Sequence, residues 1–454
     1  MRNVNLLEGP ILPALTRLAL PIMGTSLIQM AYNLTDMLWV GRVSAEAVAA
    51  VGAAGMYLWV ANGLVSIPRI GGQVKAAHAL GAQNIPEAAG LARAAFHMCA
   101  LLVALCTAAY IAFNGPLIAF FKLNGAQTIA DARTYLVIVA VGLVFAFFSQ
   151  IFTGLFTALG NSVAMFKATV VGLVFNIVLD PVLIFGVGPF PRMEVAGAAL
   201  ATVLAQAVVL VMFVLMAARD QRLFPHLKLF SKSRRSDWAD IARIGLPVAV
   251  QNLFFSSLSM IIARLVAGWG DAAVAVQKVG SQIESITWMT ADGFSTALNA
   301  FVAQNYGAGK YDRIKQGYRR AVGLIGGWGL FTTAVLMAFP AFLFGLFIPD
   351  PQLAPMGVSY LRILGVSQMF MCIEGVSAAV FQGIGRPIPS SVCGILGNAA
   401  RIPMAMALSA TALALDGIWW SISISSIAKG VVVTALLFWV LHRDRRFSAV
   451  RKTL

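Results

Sequence analysis

Long apolar stretches separated by short polar segments run through the whole chain of 454 residues. A helix needs about 20 consecutive apolar residues to cross the hydrocarbon core of a bilayer. The pattern therefore predicts an all-α membrane protein with twelve transmembrane helices. We place these helices at 13–39, 46–74, 87–119, 128–157, 163–186, 194–217, 238–266, 272–303, 314–347, 355–383, 388–412 and 416–441.

The second half of the chain repeats landmarks of the first half about 226 residues later. Leu20-Pro21 returns as Leu246-Pro247, and Asn176 and Pro181 return as Asn398 and Pro403 at the smaller offset of 222. The repeat predicts two pseudo-symmetric six-helix lobes, at 1–217 and 238–454, joined by a cytoplasmic linker at 218–237. Duplicated helix bundles are a recurrent plan of secondary transporters, which bind their substrate between the halves.

Charge is scarce and unevenly placed. Only 11% of the residues are charged and 59% are hydrophobic, yet the net charge is +15. The basic residues concentrate in the linker, between the eighth and ninth spans, and after residue 441. By the positive-inside rule, we expect both termini and the linker to be cytoplasmic in a bacterial plasma (inner) membrane. The charge then serves orientation beside anionic lipid, and no nucleic-acid partner is expected.

Sequence signatures of catalysis are missing. The segment Gly307-Ala308-Gly309-Lys310 lacks the spacing of a phosphate-binding loop, and neither HExxH nor G-x-S-x-G occurs. The start of the chain also lacks the pattern of a removable signal peptide. We therefore expect no enzyme activity and no cofactor, and coupling to an ion gradient is the simplest energy source.

Carboxylates within the spans are the main candidates for function, because a charge at mid-bilayer costs about 2.5–3.5 kcal/mol on insertion scales. At about 1.5 Å per residue, Asp36 lies ~35 Å into the first span and Asp180 ~26 Å into the fifth. Thr202 reaches a similar depth from the opposite direction, and Asn176 shares a helix face with Asp180. Their oxygen atoms suit Na⁺ or a proton, so these four residues form the predicted coupling site, which is a metal site if the ion is Na⁺.

Other side chains in the spans are candidates for substrate binding. Flexible methionines suit promiscuous surfaces, and polar or acidic groups supply hydrogen bonds. These candidates are Tyr32, Met30, Met37, Gln150, Phe152, Gln251, Gln282, Glu284 and Glu374. The acids of the second half do not copy the first-half site, because Asp36 aligns with Ile262 and Asp180 with Ile402.

Three motifs resemble the multidrug and toxic compound extrusion (MATE) family, and most closely its DinF-like branch. They are Tyr32-Asn33-Leu34-Thr35-Asp36, Asn176-Ile177-Val178-Leu179-Asp180-Pro181 and Gly197-Ala198-Ala199-Leu200-Ala201-Thr202. The resemblance covers nearly the whole chain. It implies efflux of amphipathic, often cationic drugs by antiport with H⁺ or Na⁺, with the cation held by Asp36, Asn176, Asp180 and Thr202. We expect a monomer in the lipid bilayer with small-molecule drugs as partners.

One departure and several alternatives remain. The seventh span reads Leu246-Pro247-Val248-Ala249-Val250-Gln251-Asn252, without the acid that another bacterial branch carries there, so a sodium site in the second lobe is not expected. The nearest alternative function is a lipid-linked oligosaccharide flippase of related architecture. A major-facilitator exporter is a less favoured alternative, because no G-x-x-x-D-R-x-G-R-type loop follows the second span. A membrane-embedded enzyme or receptor is an alternative from a different class. The residues do not choose between Na⁺ and H⁺.

Overall fold

A computed structural model of the protein describes residues 4–123 and 125–448, and everything in that part with regular structure is helical. Met1–Asn3, where the sequence lacks the pattern of a signal peptide, and the basic tail residues Arg451 and Lys452 lie outside the described residues. The first half contains α1 Ile11–Gly41, α2 Ala45–Gly81, α3 Ile85–Ala112, α4 Asn114–Ala119, α5 Ala126–Ala158, α6 Ser162–Phe185 and α7 Glu194–Ala218. A short 3₁₀ turn, Phe224–His226, follows in the linker.

The second half begins with α8, whose first three residues fall within the predicted linker at 218–237. It contains α8 Arg235–Ala267, α9 Asp271–Gly307, α10 Tyr311–Ala338, α11 Pro340–Gly345, α12 Ala354–Gly365, α13 Gln368–Gly383, α14 Ile388–Ala399, α15 Arg401–Ser409, α16 Ala414–Arg443 and α17 Arg445–Ser448. Within the described ranges, ten helical segments are long and apolar enough to cross a bilayer when α14 and α15 are taken together as Ile388–Ser409. The number is eleven if the bent pair α12 and α13 also counts as one span. Helix α9 has 37 residues but carries Lys278, Glu284 and Asp292.

Three predicted spans are interrupted where proline constrains the backbone. Pro116 and Pro340 lie in the first turns of α4 and α11, where the missing N–H costs nothing, so each begins a new short helix. The break at Ala400 lies three residues before Pro403, whose ring clashes with the preceding turn. The break between α12 and α13 has no proline, and the two helices meet at an angle of 41°.

The described chain divides into two compact units. Unit 1 contains residues 20–249 together with Val4, and unit 2 contains residues 5–19 and 250–448. Both changes of unit occur next to the repeated Leu-Pro pairs, in α1 and α8. The predicted lobes at 1–217 and 238–454 remain a prediction about the duplicated halves.

Unit 1 is held together by small residues that allow helices to approach closely. Helix α3 buries one alanine after another, at Ala88, Ala89, Ala92, Ala94 and Ala95. Gly245 of α8 lies against the backbone of Ile67, and Gly71 of α2 lies against the backbone of Ile241. Lys75 and Asp240 form an ion pair at 3.1 Å beside these contacts. Such packing of small residues is the usual way that helices associate inside membranes.

Unit 2 has a core of larger side chains. Trp419 is fully buried, and its ring meets Tyr360 edge to face with the centroids 5.0 Å apart. Phe344, Leu361 and Ile283 fill the same cluster. The segment before α1 also belongs to this unit, because Arg313 donates hydrogen bonds to backbone carbonyls of residues 6, 8 and 9.

Gly245→Ala tests the close approach of α8 and α2. The new Cβ would overlap the Ile67 carbonyl oxygen, so the helices must separate, and we expect a loss of about 1–3 kcal/mol. Gly52→Ala is the control, because nothing lies within 4 Å of the added methyl group. Thermal unfolding in detergent should show a lower Tm for Gly245→Ala and an unchanged or higher Tm for Gly52→Ala. Equal Tm values would contradict the proposed packing.

Candidate functional site

Two side chains on α6 form the centre of a polar site in unit 1. Asn176 and Asp180 lie one helical turn apart, and both are fully buried. The Asn176 amide donates a hydrogen bond of 3.0 Å to Asp180 Oδ1. Asn176 Oδ1 and Asp180 Oδ2 are left without a hydrogen-bond partner in the described structure. The pair therefore satisfies one carboxylate oxygen internally and leaves the other available.

Glycines bring α7 close enough to place Thr202 at this site. A Cβ on Gly197 of α7 would overlap the backbone of Leu183 in α6, and one on Gly172 of α6 would overlap Val209 of α7. Gly142 of α5 makes the same kind of contact with Val203. Thr202 lies between these contacts, and its Oγ1 is buried without a hydrogen-bond partner.

Helix α1 completes the site with an acid and a tyrosine. Asp36 lies close enough to Asp180 for the two carboxylates to repel each other. Tyr32, one turn earlier, neighbours Thr202 and both acids. Asp36 Oδ1 and Tyr32 Oη are buried and unpartnered. Tyr135 of α5, which is 4% exposed, faces the same group of side chains.

These oxygens fit a singly charged cation. Five buried oxygen atoms, on Tyr32, Asp36, Asn176, Asp180 and Thr202, have no hydrogen-bond partner. None of the ion pairs in the described residues involves Asp36 or Asp180. Hard cations prefer carboxylate, amide and hydroxyl oxygens, and a proton would equally convert a lone carboxylate into a donor. The described residues contain no group of three His, Cys, Asp or Glu side chains that could hold a metal ion, so the two carboxylates suit Na⁺ or H⁺ better than a divalent ion.

The other first-half candidates are spread over several surroundings. Met30 and Gln150 are half-buried, whereas Met37 is 54% exposed. Phe152 is buried in an aromatic cluster with Phe96 and Phe213, at centroid distances of 5.1 and 5.9 Å. The faces of the Phe152 ring are thus occupied by packing.

The candidates of the second half form a different polar group in unit 2. Glu284 of α9 is 9% exposed and accepts a hydrogen bond of 3.3 Å from Gln368. Glu374 of α13 forms an ion pair at 3.3 Å with Lys429 of α16, which is 7% exposed. Arg401 lies near both acids and donates to Ser425 and Ser426. Gln251 packs against Gly394, and Gln282 is exposed.

Comparison with known proteins decides the family. The family model described as MatE matches residues 21–182 and 247–407, one block in each half of the chain. The chain belongs to the MatE family. It is 26% identical over 397 residues to a probable multidrug resistance protein NorM of Thermotoga maritima, covering 87% of this chain and 85% of that one. It is also 26% identical over 417 residues to an FAD transporter of Shewanella oneidensis, with 91% of each chain covered.

Solved structures agree with this membership. A crystal structure of MATE in complex with MaL6 superimposes with a TM-score of 0.90 at 25% identity, and all of both chains is covered. The predicted MATE family and its all-α fold with twelve transmembrane helices are confirmed. The MatE chain is a multi-pass membrane transporter and not an enzyme. Its assignment to the DinF-like branch remains a prediction.

Three residues of these polar groups, Lys429, Tyr135 and Tyr360, were missed from the sequence, although signals for all three are present. Lys429 stands alone in an apolar stretch, and the cost argument applied to the acids applies equally to a lysine. Tyr135-Leu136 returns as Tyr360-Leu361 at an offset of 225, the offset that also links Phe156 to Phe381. Each tyrosine faces the buried acids of its own unit.

Lys429→Met should destabilise the protein, because it leaves Glu374 buried without its partner. Breaking a buried pair typically costs about 3–5 kcal/mol. The double variant Lys429→Met/Glu374→Gln removes both charges and should recover most of that loss. Thermal unfolding in detergent measures both. Lys75→Met is the control, since its pair with Asp240 is partly exposed, at 26% and 50% of the two side chains, and such pairs contribute about 0–1 kcal/mol. A double variant no more stable than Lys429→Met would refute the pairing.

Proposed function

We propose that this MatE protein exports amphipathic, often cationic organic compounds in exchange for H⁺ or Na⁺ bound in unit 1. The observation that carries the proposal is the convergence of buried, unpartnered oxygens on Tyr32, Asp36, Asn176, Asp180 and Thr202. The carboxylate and amide oxygens among them are acceptors buried without donors, which is costly, so a cation or proton that joins them would stabilise the arrangement.

The relatives support a transport role with small organic molecules as substrates. The Thermotoga relative is described as a multidrug resistance protein, and the Shewanella relative as an FAD transporter. Oligosaccharide flippase activity is not favoured by these comparisons. The variety among relatives of equal identity supports the export of organic compounds as a class more than any one compound.

The coupling step follows from the charge of the site. With no cation bound, Asp36 and Asp180 repel each other. A bound Na⁺ or proton reduces that repulsion. It also gives the unpartnered oxygens a positive charge or a hydrogen-bond donor to interact with. A cation shifts a conformational equilibrium only by as much as it binds one state better than another. Pro181 of α6 directly follows Asp180, and Pro21 lies about four turns before Asp36 in α1. Prolines are the points where helices bend most readily.

We further propose that the protein works as a monomer in a bacterial plasma membrane with both termini in the cytoplasm. The support for this orientation is the asymmetric placement of its basic residues. Lys228, Lys232, Arg234 and Arg235 lie in the linker. Lys310 lies between α9 and α10, and Arg313 lies in the first turn of α10. Positive residues of short loops remain on the cytoplasmic side.

Asp36→Asn should abolish gradient-driven efflux, because the amide cannot exchange a proton or supply negative charge to Na⁺. We expect the rate of ethidium transport in proteoliposomes to fall at least about tenfold, the loss expected when a coupling charge worth ~1.4 kcal/mol or more is removed. Membrane insertion should be unaffected. Asp131→Asn is the control, since Asp131 is partly exposed near the start of α5 and accepts a hydrogen bond from Gln127, away from the site. Full coupled transport by Asp36→Asn would exclude the site.

The coupling ion is identified by imposing one gradient at a time. Proteoliposomes with a Na⁺ gradient at equal pH, or a pH gradient without Na⁺, are compared for wild-type protein and Asp36→Asn. Transport driven by one gradient and lost in the variant identifies that ion. Transport by neither gradient would contradict the proposed antiport.

A further inference from the structure

The linker between α7 and α8 carries positive charge with no acid among its basic residues. From residue 221 to residue 236 it contains five lysines and arginines and no aspartate or glutamate. These are Arg222, Lys228, Lys232, Arg234 and Arg235. All five side chains are exposed, and none forms an ion pair among the described residues. The linker is therefore a surface that can receive an anion.

A cavity at the end of the linker gathers two of these cations. It has a volume of about 520 Å³, and Lys232 and Arg235 line it together with Ser231 and Trp238. An ammonium, a guanidinium and a hydroxyl group are donors that bind phosphate oxygens. Asp237 is the nearest acid along the chain, but its carboxylate lies beside α3 and does not line the cavity. The polar lining is thus suited to a phosphate group.

The linker is held at this cavity by His97 of α3, which also lines it. His97 Nε2 donates a hydrogen bond of 2.6 Å to the Leu229 carbonyl, and His97 Nδ1 lies 2.6 Å from Ser233 Oγ. The two contacts flank residues 230–232 and fix both ends of that segment on a long helix. Because the backbone is already ordered, less conformational entropy is lost when a ligand binds.

The cavity lies at the edge of the lipid-facing surface of α3. The large apolar side chains that α3 exposes are Leu101, Leu105 and Ile111, at 48%, 58% and 41% exposure. His97 lies one turn before Leu101, which is about 6 Å along the helix axis. The helix before His97 is mostly buried. The cavity is therefore at the level where the hydrocarbon of a bilayer gives way to its headgroups.

Phe230 places an apolar ring next to the cations. It lines the cavity and is fully exposed, at 106%. Leu229 beside it is 41% exposed. Exposed apolar residues next to lysine and arginine are typical of segments that lie in a membrane interface, with the apolar side chains in the acyl region and the charges among the headgroups. This combination favours a lipid over a soluble anion.

We propose that residues 228–238, together with His97, form a binding site for an anionic phospholipid. Lys232 and Arg235 hold the phosphate, and Phe230 contacts the upper part of the acyl chains. A choline headgroup brings a positive charge of its own to these cations, so phosphatidylcholine binds less tightly. The inference goes beyond the proposed function and does not rest on it, because the site contains none of the coupling residues.

Two lipids with the same acyl chains test the proposal. The purified full-length protein in detergent is titrated with phosphatidylglycerol or with phosphatidylcholine, and native mass spectrometry measures the fraction of protein that retains each lipid. We expect phosphatidylglycerol to bind about tenfold more tightly, since cations close to a membrane surface each contribute on this scale to the binding of anionic lipid.

A double variant removes the two cations of the cavity. Lys232→Gln/Arg235→Gln should reduce the preference for phosphatidylglycerol from about tenfold to about twofold or less. The matched control is Arg319→Gln/Arg320→Gln, which removes the same charge from exposed positions in α10. All four residues are exposed, so both variants should keep the Tm of the wild type in the absence of added lipid. Equal loss of preference in the two double variants would mean diffuse attraction to positive charge and would overturn the proposal.

Two further measurements separate a lipid from a free phosphate. Phe230→Ser should weaken phosphatidylglycerol about tenfold by removing an apolar contact. Phe120→Ser, at a ring that is 75% exposed just after α4, is the control and should leave binding unchanged. Excess inorganic phosphate should not displace the lipid. Displacement by inorganic phosphate, or wild-type affinity in Phe230→Ser, would identify a soluble anion site and contradict the assignment.

The outcome is separable from that of the proposed function. Lipid binding is measured without a gradient or a drug and is expected to persist in Asp36→Asn, whereas coupled flux is expected to be lost. If lipid binding follows the expected pattern but no gradient drives transport, the antiport proposal fails and the lipid site stands. If transport is coupled but Lys232→Gln/Arg235→Gln keeps its preference for phosphatidylglycerol, only the lipid site fails.

Discussion

A carboxylate inside a bilayer must find a positive charge or lose its own, and the two units of this chain meet that constraint differently. In unit 2, Glu374 is paired with Lys429, and Glu284 lies near Arg401. In unit 1, no lysine or arginine of the described structure pairs with Asp36 or Asp180. Unit 2 therefore carries its compensating charges within the chain, whereas unit 1 must take its compensation from outside. That difference makes unit 1 the place where an external ion can act.

The fold is largely predictable because membrane insertion depends on the length of apolar stretches, and length is read directly from sequence. The limits lie where a stretch is continuous but its helix is not. Pro116 and Pro340 begin new helices without making the sequence less apolar, so hydropathy alone joins α3 to α4 and α10 to α11. Helix α9 is the opposite case. Its charged residues weaken the apolar signal, yet its 37-residue length gives it ample reach to cross the bilayer.

The site was predictable where it rests on short-range spacing and on the cost of buried charge. Asn176 and Asp180 share a helix face, and the hydrogen bond between them follows from that spacing. Which residues of other helices join them depends on how closely the helices approach, and that depends on Gly142, Gly172 and Gly197, whose contacts are made with distant residues. Tyr135 was missed for this reason. A systematic comparison of the halves would have found it, because the Tyr-Leu pair recurs at the common offset. Phe152 is a candidate that the sequence suggests and the structure does not support. Its residue type suits drug binding, but its ring packs against Phe96 and Phe213.

The duplication also constrains what the bound ion can do. In unit 2, the two acids Glu284 and Glu374 are balanced by the two bases Arg401 and Lys429 of the same chain. In unit 1, Asp36 and Asp180 carry two negative charges when both are ionised, and no base of the described structure pairs with them. One Na⁺ would neutralise one of these charges. Two protons, or one Na⁺ with one proton, would neutralise both. Because residual charge in an apolar interior is costly, the neutral loaded states are the most stable ones. The hydrogen bond that Asn176 donates occupies Asp180 Oδ1, so Asp180 Oδ2 and Asp36 Oδ1 are the buried carboxylate oxygens left to meet a cation or proton that joins the site.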